Sequence, residues 1–200
     1  SKAANFLVEG LMVDESSSVS VDLGVHWQSS VWLCAPMIAG VQVAEEAQAN
    51  FTIANKVRCD KWTGDPEHLI VVSRDPFGMP DRDLDARFVN ASAQVRMFGD
   101  YFAPSWPVEL EAIAVQSSGE VRTWDELTAL VNQIASYHAI EQGSRYAIVG
   151  EGSLTERLVL HALLPLLHGN SVVLIDQDFT GDYQEVAAAE QVAHIVRLGA

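Results

Sequence analysis

The chain has 200 residues, 48% of them hydrophobic and 20% charged, with a formal net charge of −15. That length can bury the core of one domain or two small ones, and the composition excludes disorder over most of the chain. Twelve scattered basic residues in so acidic a protein exclude nucleic acid and anionic membrane as partners, because both demand clustered Lys or Arg.

Ser1 to Leu11 reads as an amphipathic helix already under way, and its opening without a cap or initiator methionine suggests trimming at the front. Ser18–Leu23 alternates like a strand, and Trp27–Ala39 is a mostly apolar helix closing on Gly40, with Pro36 inside it. Short β-rich pieces follow at Val41–Ala44, Phe51–Asn55 and Leu69–Ser73. Arg74 to Arg87 is irregular, Phe88–Phe98 is expected to be helical, and Ala103–Pro107 breaks it. Ala112–Val115 is a strand. Thr123–Gln142 is a long helix, with Thr123 and Glu126 as a capping box and Gly143 as its stop. Tyr146–Val149 is a strand, Leu154–His168 a helix ending at Gly169, and Ser171–Ile175 a buried strand. Tyr183–Val192 is the last helix and His194–Leu198 the last strand. This alternation predicts an α/β fold with mostly parallel sheets and crossover helices, in two similar halves, residues 1–104 and 105–200.

No apolar run reaches the roughly 18 residues of a membrane span; the best, Leu158 to Leu167, carries His161 and Pro165. Cys34 and Cys59 lack metal-ligand spacing and read as reduced thiols of a cytoplasmic protein. The unfinished edges at both ends suggest a homo-oligomer.

Few motifs carry chemistry. Gly150 and Gly152 follow a strand and precede a helix, and Asp176 ends the next strand. The arrangement resembles a dinucleotide fingerprint, but Thr155 holds the third glycine position, so a plain strand-to-helix turn is the stronger reading. Asp81, Asp83 and Asp85 alternate as in a calcium loop, but Ala86 and Ser92 stand where glycine and glutamate are required. His161 and His168 lie two turns apart on one helix and could face the same way. Without a third ligand they read as core-edge or surface residues.

Several stretches together resemble the N-terminal domain of adenylate-forming enzymes, the acyl-CoA synthetase and ligase superfamily. The first 44 residues follow its early pattern, with marks at Val19–Leu23, at His26, Trp27 and Gln28, and at Ala39 and Gly40. Arg145–Asp176 is similar to the segment after that family's ATP loop, where a helix leads into a Val-Val-Leu strand. Asp75–Pro104 is more like a small actinobacterial-type subgroup of truncated synthetase-like proteins. The resemblance implies a layered αβα fold. It also places the ATP loop at Ser117, Ser118 and Gly119, between the Ala112–Val115 strand and the Thr123 helix.

In the family, that run continues to a second glycine and a Pro-Lys, whose backbone N–H groups and cation hold phosphate. Here Glu120 follows instead, with neither glycine nor lysine, and Arg122 is not an equivalent anchor. The adenine and ribose motifs and the C-terminal lysine domain of the family are not found in these residues. The resemblance therefore implies a vestigial phosphate loop, no catalytic residue, no bound cofactor or metal, and a binding or interaction module of unknown ligand. The alternative is a fragment or subunit of an AMP-forming ligase that binds ATP, AMP or coenzyme A.

Overall fold

Alternation of serine with valine makes Ser18–Asp22 a strand (β1), and four of its five residues are buried because helices and neighbouring strands enclose it. The computed structural model describes residues 1–199. Before β1 comes a helix, α1 (Lys2–Asn5), continued by a π turn over Phe6–Gly10. After it comes α2 (Trp27–Ala39), capped by His26, whose Nδ1 accepts from the Gln28 N–H at 3.3 Å. Gly40, in the left-handed region at φ 72°, ends α2.

The chain then lays down β2 (Gln42–Ala44), β3 (Phe51–Ala54), β4 (Leu69–Val71) and β5 (Val89–Asn90). After the short helix α3 (Ala91–Gln94) come β6 (Ile113–Ser117) and β7 (Glu120–Thr123). These seven strands form one sheet in the order β5-β4-β3-β1-β2-β6-β7. Every pair is parallel except β6 with β7.

The remaining elements build a second sheet. Helix α4 (Trp124–Tyr137) carries the expected capping box of Thr123 and Glu126. It leads to β8 (Arg145–Val149), to α5 (Leu154–Leu158), a π turn over Val159–Leu163 and α6 (Leu164–His168), and to β9 (Ser171–Ile175). Helix α7 (Tyr183–Ala189) and β10 (His194–Arg197) close the chain in the parallel order β10-β8-β9. The first sheet contains the same local order, β3-β1-β2, so helix, strand, helix, strand is played twice with one crossover pattern.

Both sheets share one core, in which Phe6, Leu7, Leu33, Val43, Val131, Tyr146, Leu158 and Leu164 are fully buried or nearly so. Burying each such side chain contributes about 1.5–3 kcal/mol. The two sheets are also tied by polar contacts. Arg157 Nη1 donates to the Val21 carbonyl at the end of β1, at 3.2 Å. No helix is long and apolar enough to cross a membrane among the described residues.

The α/β layering agrees with expectation, and four local readings change. Phe88–Phe98 is not one helix: Val89–Asn90 pairs with β4, and only Ala91–Gln94 is α-helical before a 3₁₀ turn over Val95–Met97. Helix α4 stops at Tyr137 rather than Gln142. Ala139 turns at φ 54°, and the Ile140 N–H closes on the Ala135 carbonyl at 2.8 Å, carrying Ile140 into the core. The last helix ends at Ala189, where Gln191 at φ 55° turns the chain toward β10. Strand β7, absent from the expected elements, completes the first sheet with β6.

Candidate functional site

Ser117 pairs with Glu120 across an antiparallel ladder, leaving Ser118 and Gly119 as a two-residue hairpin turn. The expected strand-to-helix loop is therefore a strand-to-strand turn, and the helix begins only after β7. Strand formation follows from composition: Val121 and Thr123 are β-branched, and Arg122 lies opposite Val115. A Cβ on Gly119 would meet no atom within 4 Å, and its φ lies outside the left-handed region, so the turn itself does not require glycine.

The backbone donor at the tip of the turn is already engaged. The Ser118 N–H, at the tip of the turn, donates to Glu45 Oε2 at 3.0 Å, and Glu45 is anchored by its own N–H on the Gln116 carbonyl. Glu120 points the other way, toward the helix after β8. It accepts from Thr155 Oγ1 and from Arg122 Nε, each at 2.5 Å. The Thr155 hydroxyl and then the Arg122 guanidinium hold the Glu120 carboxyl below its ordinary range. Thr155 is buried, so this bond joins the hairpin of the first sheet to the helix of the second.

A similar arrangement closes the glycine turn. Gly150, Gly152 and Asp176 do sit in a strand–helix–strand unit, at the carboxyl ends of β8 and β9. The Glu156 carboxylate, however, turns back on the start of α5. It accepts from the Ser153 N–H at 2.8 Å and from its hydroxyl at 2.9 Å, while the Glu156 N–H donates to Ser153 Oγ. A Cβ on Gly152 would stand 2.7 Å from that carboxylate. An internal anion thus occupies the helix terminus that a pyrophosphate would use.

Of the clefts that remain open among the described residues, two bear on function. One, of about 520 Å³, runs along the outer face of α2 between Trp27, Val31, Cys34 and Ile38, with Phe77 opposite, and is mostly apolar. The other, of about 280 Å³, lies at the carboxyl ends of β1 and β3 and is lined almost entirely by polar and charged side chains.

No family model and no curated protein matches the chain. Solved structures match it in fold. Coronafacic acid ligase from Pectobacterium brasiliense gives a TM-score of 0.69 over 98% of this chain and 43% of its own, at 13% identity. The luciferase-like enzyme of the nonluminescent mealworm Zophobas morio gives 0.69 over 96% and 49%, at 11% identity. A double mutant of o-succinylbenzoate CoA synthetase from Bacillus subtilis, bound with its product analogue, gives 0.64 over 96% and 40%, at 13% identity. The fold is that of the N-terminal domain of acyl-CoA synthetases. The chain spans 40 to 49% of the length of these three chains.

Within this synthetase fold, the two histidines of the 154–168 helix part company. The π turn at Val159–Leu163 shifts the helical register between them. His161 is buried with neither ring nitrogen partnered among the described residues, while His168 reaches Asn132 Oδ1 at 3.1 Å. Asp85 is held by Arg87, 2.9 Å away, in its own turn. Cys34 and Cys59 are free and half-buried, and burial pushes the Cys34 thiol up to about 11. Glu120 is visible in the sequence as an obstacle, whereas Glu45 lies 73 positions from Ser118 and signals nothing locally.

The Glu120 contact carries a measurable consequence. Glu120→Ala strips the buried Thr155 hydroxyl of its acceptor and is expected to cost about 2 kcal/mol. The depressed carboxyl stabilises the fold above its unfolded pKa, and that contribution is lost as pH falls through its lower folded value. Denaturant melts at neutral and acid pH check both. Equal stability of parent and variant at neutral pH would remove the latch.

Proposed function

We propose that this chain is a binding and interaction module built on the acyl-CoA synthetase fold, working in the cytoplasm and not activating carboxylic acids. One observation carries the reading. At each place suited to phosphate, the hairpin tip and the start of α5, the protein's own carboxylate takes the donor: Glu45 on the Ser118 N–H, Glu120 on Thr155, and Glu156 on Ser153. A nucleotide would have to displace these anions and accept their repulsion at the same spot.

Ser117, Ser118 and Gly119 are, in this reading, a vestigial phosphate loop with no cofactor resident on it. The exposed apolar groove along α2 supports the interaction role, since apolar grooves of this kind favour association. The unpaired thiols agree with a reducing compartment.

ATP–pyrophosphate exchange tests the reading directly. With magnesium, ATP and short-chain, long-chain or aromatic acids, the purified chain is expected to exchange pyrophosphate at background rate. Acid-dependent exchange above background would overturn the reading in favour of an AMP-forming ligase activity.

A further inference from the structure

Strand order singles out one place in the first sheet. Six of the seven strands are parallel, and the five from β2 to the β5 edge run 2-1-3-4-5. From β1 the chain crosses toward β2 on one side, and from β3 it crosses toward β4 on the other. The connections diverge, and a crevice opens at the carboxyl ends of β1 and β3, where open α/β sheets take their ligands.

The cleft of about 280 Å³ lies at that crevice. Asp22 closes β1, and Asn55 follows β3. Arg58 and Lys61 sit on the 3₁₀ turns of Lys56–Lys61, and Arg74 stands three residues beyond β4. Three of the twelve basic residues of a strongly acidic chain thus converge on one cleft.

Their hydrogen-bonding capacity is largely unspent. Among the described residues, the Lys61 ammonium, the Arg74 guanidinium and the Asp22 carboxylate form no ion pair, although all line the same cleft. Asn55 uses its Oδ1 on the Val57 N–H, at 3.0 Å, and leaves its amide donors free. Arg58 is neutralised by Glu46, yet its Nε is buried without a partner. Opposite charges that share a cleft without closing on one another leave room for a third party.

We propose that this cleft binds a phosphorylated polyol, such as a sugar phosphate. Lys61 and Arg74 together match the charge of a phosphate monoester, about −1.5 to −2 at neutral pH. The guanidinium and the Asn55 amide supply directional donors to its oxygens. Asp22 would repel a bare anion, and instead accepts hydrogen bonds from hydroxyls carried beside the phosphate. A simple carboxylate leaves one of the two cations unmatched. The inference rests on the crevice alone, so it stands or falls separately from pyrophosphate exchange.

Calorimetric titration of the 200-residue chain with ribose 5-phosphate, inorganic phosphate and ribose tests it. Saturable binding of ribose 5-phosphate is expected, weaker binding of inorganic phosphate, and none of ribose. Binding should weaken as salt rises. Lys61→Gln and Arg74→Gln, both at exposed positions, are each expected to lower the affinity about tenfold. Asp22→Asn should weaken ribose 5-phosphate while leaving inorganic phosphate unchanged or tighter. Three results would overturn the proposal: no saturable binding at millimolar ribose 5-phosphate, equal affinity for inorganic phosphate, or unchanged affinity in normally melting Lys61→Gln and Arg74→Gln variants.

Discussion

Lowering the pH from 6.5 to 4 is expected to cost this protein about 3 kcal/mol through a single side chain, His161. His161 is 3% exposed, and among the described residues both its ring nitrogens lack a partner. Burial first, and the nearby Arg157 guanidinium second, push its pKa down to about 4 from the 6.5 of a free imidazole. Between those values the unfolded chain binds a proton that the folded chain refuses, so stability falls as pH falls. Below the lower value both states are protonated and the loss is complete.

His161→Leu should abolish this component. An apolar side chain of similar size leaves no buried polar atom unsatisfied, so the variant is expected to match or exceed the parent at pH 8. It should exceed the parent by about 3 kcal/mol more near pH 4. Urea melts across that range measure the difference, and parallel curves would show that His161 is solvated. The Glu120 contribution is lost at lower pH, on the acid side of an ordinary carboxylate, which separates the two windows.

Gly150→Ala is the second large effect, with an expected cost of about 3 kcal/mol. Gly150 ends the central strand of the second sheet at φ 84°, where an L side chain is strained. Its N–H is held by the Ile175 carbonyl at 3.1 Å, on one side, while an added Cβ would lie 2.8 Å from the Leu198 carbonyl oxygen on the other. The obstacle is backbone and the glycine is tethered beside it, so neither swings aside. For a chain of this size the cost corresponds to a fall in melting temperature of roughly 6–12 °C. A fall of only a degree or two would show that β10 moves freely against β8. The glycine that resembled part of a dinucleotide fingerprint is thus required by strand packing.

The parts of the fold legible in the sequence were those with a local cause. Apolar runs closing on a glycine marked α2 and the helix after β8, an amphipathic run with its capping box marked α4, alternation marked β1, and β-rich runs marked β3 and β9. The capping box of Thr123 and Glu126 and the left-handed stops at Gly40 and Gly169 were read correctly because each is complete within a few residues. Strands β5 and β7 were missed for the converse reason. Two residues at Val89–Asn90, and the half-exposed Glu-Val-Arg-Thr of β7, become strands only because β4 and β6 offer them a ladder. The ends of α4 and α7 were misplaced because Ile140 and the path toward β10 are set by the core.

The same division holds for function. By itself the sequence determined an acidic α/β chain and a Ser-Ser-Gly turn without its lysine, since composition, periodicity and a missing residue can all be read along one line. Only the tertiary structure decided that Glu45 and Glu120 take donors around the phosphate-like turns, whereas Glu156 closes on Ser153 through a local capping box. Only the crossovers between β1, β3 and β4 gather Asp22, Lys61 and Arg74, spread over 52 positions of chain, at one crevice. Charge acts through space, and parallel sheets bring distant residues together at their carboxyl ends; neither effect leaves a trace in local spacing.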